Sequence, residues 1–256
     1  MDSGDDCPDL LVRCHEIPCT LGEFADKAQA FMAELMPLHP GFAQLRFTGR
    51  KKADSPLLEP DLSNLRQGIF ERSWDRQAPD DWRHDWGADC QPAAHSRHDL
   101  GFRLSLTNLT GWDEKIDVSA KLGSLTVNGC DATLPRKVYP EFRQQPLAGQ
   151  LLEVFVRHWP TRYASYATRG WNWRFNFEHR KPEEQGNMEI GWLHYASDPS
   201  VAEALPQDAG ITCKTLGKGI VFQIGDHLPD FDSPADVALA TRVRQALAAA
   251  GKLKVR

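Results

Sequence analysis

The chain has 256 residues, 41% of them apolar and 25% charged, with a formal net charge of −5. That balance excludes a disordered or low-complexity protein, and a chain of this length buries enough surface to fold without disulfide staples. No apolar run approaches the roughly 20 residues that cross a bilayer, and the acidic stretch Met1–Asp9 has neither the basic nor the apolar part of a signal peptide. A cytoplasmic protein is expected.

Charge is unevenly spread. The first hundred residues hold 11 Lys/Arg against 18 Asp/Glu, and the remainder 19 against 17. An acidic first part disfavours binding along a phosphate backbone and suits a basic partner, or simply keeps the surface soluble. The six cysteines, Cys7, Cys14, Cys19, Cys90, Cys130 and Cys213, form no C-x-x-C pair, so they read as reduced, packed thiols.

In chain order, Leu10–Ile17 has the apolar content of a strand. Thr20-Leu21-Gly22-Glu23 then has the spacing of a capping box, in which hydroxyl and carboxylate satisfy the open N–H groups of a helix start. Phe24, Ala28, Phe31 and Leu35 follow at helical spacing, and His39-Pro40-Gly41 ends the pattern because proline cannot continue the ladder. Ala43, Leu45 and Phe47 alternate with polar residues as in a half-buried strand. A polar loop over 48–61 leads to a short helix within Leu62–Trp74, and residues 75–99 follow neither period.

From Gly101 the pattern is β. Phe102, Leu104 and Leu106 alternate with polar residues, and turns near Thr110–Asp113 and at Gly123 lead to strands around Ile116–Val118 and Leu125–Val127, an antiparallel meander. Pro135–Pro146 reads as a link between an N-terminal lobe, 1–138, and a C-terminal lobe, 139–256, the two together making one domain. Leu147, Leu151, Leu152, Phe155 and Trp159 are the apolar face of a helix that Pro146 opens and Pro160 closes. Phe175 and Phe177 alternate with Arg174 and Asn176, Met188–Tyr195 reads as a buried strand, and Ile211–Thr215 pairs with Ile220–Ile224 as a hairpin. Ser233, Pro234, Asp236 and Gly251 mark the start and stop of the last helix, whose apolar face is Val237, Ala240, Val243 and Leu247. These elements add up to an α+β fold, mostly antiparallel sheet with flanking helices.

Three constellations bear on function. His84, Asp85, Asp89, Cys90, His95, His98 and Asp99 bring together imidazole, thiolate and carboxylate, the donor set of zinc and other first-row metals. His95 and His98 share a side only on a helix, which Pro92 opposes, so this is either a His-rich loop or a metal-dependent enzyme centred on His84, Cys90, His95 and His98. The segment Arg157–Lys181 interleaves arginines with Trp159, Tyr163, Tyr166, Trp171 and Trp173. That composition fits core rings beneath outward-reaching arginines, a protein-binding hot spot, or a single-strand nucleic-acid platform. Aspartates cluster at Asp80, Asp81, Asp85 and Asp89 and again at Asp226, Asp230, Asp232 and Asp236, the last suiting a helix cap. There is no G-x-S-x-G elbow, and Leu216-Gly217-Lys218-Gly219 lacks the spacing of a phosphate loop and reads as a hairpin turn.

The C-terminal third runs Trp159-Pro160-Thr161-Arg162-Tyr163, then Ile190-Gly191-Trp192-Leu193-His194-Tyr195, Leu205-Pro206, Gly217-Lys218-Gly219-Ile220-Val221, an acidic stretch and an Ala-rich helix. This order resembles the immunity protein 52 family of bacterial polymorphic toxin systems. The resemblance implies a cytoplasmic, non-enzymatic antitoxin without a cofactor. Its implied partner is a cognate nuclease toxin with a restriction-endonuclease-like fold, delivered in some systems by type VI secretion. Neither nucleic acid nor membrane is an expected partner. Nuclease toxins attract DNA and are basic near their cleft, so acidic surface suits their inhibitor. Asp80, Asp81, Asp85, Asp226, Asp230 and Asp232 are the expected contacts, while Gly191 and Trp192 are expected to serve packing.

Overall fold

The computed structural model describes residues 6–17, 19–49, 55–72, 101–111, 113–124, 128–178, 180–181, 184, 186–207 and 210–254. Among them, nine segments are strands: β1 Pro8–Cys14, β2 Arg46–Phe47, β3 Phe102–Thr107, β4 Asp117–Leu122, β5 Gly129–Thr133, β6 Thr161–Thr168, β7 Leu193–Ala196, β8 Ile211–Leu216 and β9 Gly219–Ile224. They form one sheet in the order β2-β3-β4-β5-β1-β6-β7-β9-β8, with every pair antiparallel. The helices are α1 Leu21–Leu35, α2 Leu65–Arg72, α3 Gln145–His158, α4 Arg169–Trp171, α5 Val201–Ala204 and α6 Pro234–Ala249. The fold is α+β. No described helix is long and apolar enough to cross a membrane.

Local chemistry sets the helix ends. The hydroxyl of Thr20 accepts from the Glu23 N–H at 3.1 Å, and the Glu23 carboxylate accepts from the Thr20 N–H at 2.7 Å, so the capping box is closed. α3 carries Pro146 in its first turn, and α6 starts at Ser233, whose hydroxyl accepts from the Asp236 N–H at 3.3 Å.

The two halves of the sheet are covered differently. In β3, β4, β5 and β1 one face alternates inward: Phe102, Leu104, Val118, Ala120, Cys130, Leu10 and Val12 are buried in a large core shared with α1 and α3. There Phe31 meets Phe155 with ring centroids 4.8 Å apart and Trp159 at 5.4 Å, and Phe24 meets Trp159 at 5.8 Å. The half formed by β6, β7, β9 and β8 has a second core on its other face, built by Tyr163, Trp171 and Phe222 against Val243 and Leu247 of α6. Strands covered on both faces lose the alternation of polar and apolar residues, which is why all four residues of β7 are buried.

Some expectations shift. Ala43 falls in a 3-10 turn, Pro40–Gln44, and is exposed; Phe42 is buried in its place, and the strand is reduced to Arg46–Phe47. Residues 174–177 are helical rather than extended. Within Met188–Tyr195 only the end is strand, since residues 188–192 cross tightly beside β6. Gly191 permits that crossing: a Cβ there would lie 2.8 Å from Ala167 Cβ and from the Tyr166 carbonyl. Leu125–Val127 lies outside the described residues, and the third strand of the meander is Gly129–Thr133.

His194 is fully buried between the rings of Phe222, 4.5 Å away, and Tyr163, 6.1 Å away. Its Nε2 accepts from the Gly191 N–H at 3.1 Å, so the ring proton sits on Nδ1 and is donated to the Tyr163 hydroxyl at 3.0 Å. The Tyr163 O–H in turn donates to the Glu189 carbonyl. Burial holds the imidazole neutral, with its pKa lowered from 6.5 to about 3. The unfolded chain therefore takes up a proton that the folded one refuses, and stability present above pH 6.5 is lost as pH falls toward 3. Between pH 7 and pH 5 the loss attributable to His194 is about 2 kcal/mol. Urea denaturation of the protein and of His194→Gln at both pH values measures it; an identical pH dependence in the two contradicts the assignment.

Candidate functional site

Four rings of the Arg157–Lys181 segment are core residues: Trp159, Tyr163, Tyr166 and Trp171 are all buried. Trp173 is 62% exposed. The turn that carries it explains the difference. Thr168 ends β6 and accepts from the Trp171 N–H at 3.2 Å, which starts α4. The chain then widens into a π turn, Asn172–Phe177, in which the Glu178 N–H reaches the Trp173 carbonyl five residues back at 2.8 Å.

The inner side of this turn is tightly held. Trp171 stacks on Phe175 at 4.7 Å and donates its indole N–H to the Ile190 carbonyl at 2.6 Å. The buried carboxamide of Asn176 accepts from the Ile190 N–H at 2.9 Å and from Arg244 at 2.6 Å, and donates to the Ile190 carbonyl at 3.0 Å. The Arg244 guanidinium also lies 4.1 Å from the Phe175 ring centroid and bonds its carbonyl at 3.1 Å. Trp173 thus stands in solvent on a support that costs little further ordering when a partner covers the ring.

Arg174 joins this turn to the acidic loop between β9 and α6. Its guanidinium is 4.0 Å from the Phe231 ring centroid and 2.9 Å from Asp232 Oδ1. Within the loop the carboxylates organise the backbone. Asp230 accepts from the Asp232 N–H at 2.9 Å, and Asp236 accepts from the Asp230 N–H at 2.9 Å. His227 bridges two of them, with Nδ1 2.5 Å from Asp226 and Nε2 3.3 Å from Asp236. Four carboxylates against one guanidinium and one imidazole leave the loop net negative. Its outermost groups, Asp226 and Asp232, are largely exposed.

Of the six aspartates expected at a partner contact, the structure brings Asp226, Asp230 and Asp232 together here. Asp80, Asp81 and Asp85 lie outside the described residues, as do His84, Cys90, His95 and His98 of the alternative metal centre. Among the described residues, no group of three or more His, Cys, Asp or Glu is arranged to hold a metal ion. Sequence reasoning missed Trp173 as the ring set apart from the others. In an extended segment Trp171, Trp173 and Phe175 share one face; in a helical turn Trp171 and Phe175 share it and Trp173 points elsewhere. The choice of period concealed the exposed ring.

No family model matches the chain, and no curated protein matches it. Among solved structures it is similar to the type VI secretion system (T6SS) protein PA0821 of Pseudomonas aeruginosa, at 13% sequence identity over 97% of this chain and 76% of that one, with a TM-score of 0.48. A likeness at this level carries no argument about function. The resemblance to the immunity protein 52 family therefore rests on the residues quoted above.

The His227 bridge is directly measurable. The hydrogen bond to Asp226, and then the charge and hydrogen bond of Asp236, raise the imidazole above its ordinary 6.5, while His227 lowers the Asp226 carboxyl. The contact stabilises the loop fully below pH 6.5 and fades as pH rises through the raised value. In an NMR pH titration His227 titrates above 6.5, and Asp226→Asn brings it down; a wild-type midpoint at or below 6.5 contradicts the bridge.

Proposed function

We propose that the protein is an immunity protein that binds and neutralises a cognate nuclease-type toxin through Trp173 and the acidic loop of Asp226, Asp230 and Asp232. The observation that carries this reading is the exposed Trp173 on its pinned turn, joined through Arg174 to a net negative loop. A tryptophan left in solvent on a rigid support has the character of an interface anchor, and Trp and Arg are enriched where binding energy concentrates. Covering what remains exposed of the ring removes on the order of 100 Å² of apolar surface, worth about 3 kcal/mol. The aspartates contribute differently. Exposed charge steers a basic partner and rejects acidic ones, and changes the rate of encounter more than the lifetime of the complex. The resemblance of the C-terminal residue order to the immunity protein 52 family supports the same reading and suggests the class of partner. In this account the protein is a binder without a cofactor; it acts by occupying the toxin's basic cleft or by blocking that cleft's access to DNA.

Titration against the toxin encoded beside this protein, with DNA cleavage followed in parallel, tests the reading. A tight complex that abolishes cleavage is expected. Trp173→Ala weakens it about 10- to 100-fold, mainly through faster dissociation, and leaves the melting temperature unchanged. Asp226→Lys slows association with little effect on dissociation. An absence of binding at micromolar concentration, or full affinity in Trp173→Ala, contradicts the proposal.

A further inference from the structure

The other face of the N-terminal half of the sheet is polar, and its register sorts the charges into rows. Asp9, Thr133, Asp117 and Thr107 lie side by side across β1, β5, β4 and β3. Two residues along, the row is Leu11, Asp131, Ser119 and Ser105. Two further on it is Arg13, Gly129, Lys121 and Arg103. Carboxylates and hydroxyls occupy one end of this face; three cations and a glycine occupy the other.

Gly129 is a glycine for a backbone reason, since a Cβ there would lie 2.5 Å from the Val12 carbonyl oxygen. The consequence reaches the surface. With no side chain between Arg13 and Lys121, the row opens into a cavity of about 180 Å³, walled by Arg13, Lys121 and Arg103 and backed by Ser119 and Asp131. Neighbouring strands are about 4.8 Å apart, so the backbones of Arg13 and Lys121 stand roughly 10 Å from each other, a gap that two long cationic side chains can close over a small ion. Asp131 also lines the cavity, where its Oδ1 accepts from the Ser119 hydroxyl at 2.6 Å, so the lining sets three cations against one carboxylate. Among the described residues Arg13 has one ion pair, to Glu189 at 3.5 Å, and its side chain is 46% exposed. A guanidinium carries five donors in a planar fork, so that contact uses only part of it.

We propose that this cavity binds one oxyanion, a phosphate or carboxylate group, between Arg13 and Lys121, with Arg103 strengthening the positive field. A guanidinium fork meets either anion through two parallel hydrogen bonds, and an ammonium adds a compact charge from the opposite wall. The site is separate from the acidic loop and stands whether or not the toxin-binding reading holds.

Calorimetric titration at low ionic strength, with pyrophosphate and citrate as separate probes, tests the proposal. Saturable binding of at least one probe is expected, weakened about tenfold or more by Arg13→Gln and by Lys121→Gln, and unchanged by Lys218→Gln in the β8–β9 turn. Binding of pyrophosphate alone assigns a phosphate group, and binding of citrate alone a carboxylate. Backbone amide shifts in the wild-type protein provide a second measurement that needs no variant, and they should concentrate around residues 13, 121 and 129. The proposal is overturned by an absence of saturable binding at millimolar probe, by binding that survives both substitutions in folded variants, or by shifts confined to other parts of the chain.

Discussion

The sheet depends on the double pairing of β1. These seven residues bond to β5 through Asp9–Arg13 and to β6 through Pro8–Cys14, and among the described strands they join the ladder of the meander on one side to that of the C-terminal strands on the other. Leu10, Val12 and Cys14 also seat the strand in the larger core. Both partners lie more than a hundred residues away in sequence, so this pairing closes long loops, and ladders of that kind form slowly. Depth has an electrostatic cost as well. Burial raises the Asp9 carboxyl to about 6, and its Oδ1 has no hydrogen-bond partner among the described residues, so its charged form works against folding at neutral pH. The pairing on both edges and the packing beneath offset that cost.

What covers each half of the sheet decides how clearly it can be read from sequence. The capping box at Thr20, the Ser233-Pro234 start of α6 and the hairpin at Gly217-Lys218 are local devices, fixed by residues within a few positions, and all are legible. The strands of the N-terminal half alternate because only one face is apolar. The stretch Met188–Tyr195 is harder. It is buried throughout, and its course is set by Gly191 crossing against β6 and by the His194–Tyr163–Glu189 chain, contacts that no local pattern contains. Ala43 fails for a similar reason, since the 3-10 turn opened by Pro40 brings Phe42 to the core instead.

The candidate surface was half legible. Clustered aspartates are visible in the sequence as charge, and Asp226, Asp230 and Asp232 do gather in one loop. That each also braces the loop, through His227, Arg174 or a neighbouring N–H, follows from the fold and not from composition. The exposed ring was concealed because alternation and helical spacing assign Trp173 to different faces, and the π turn is set by the distant partners Ile190 and Arg244. In the proposed function the two parts divide the work: Trp173 would supply apolar area on a rigid mount, and the loop would supply the field that attracts a basic partner.

Hydrogen–deuterium exchange of the protein, alone and saturated with the nuclease toxin that the proposed function assigns to it, tests for that contact without altering a residue. The account predicts slowed exchange in two segments, 169–178 and 225–236, with the cores unchanged. Protection confined to other segments, or no difference between the two states in a mixture where cleavage is blocked, would contradict the assignment of this surface.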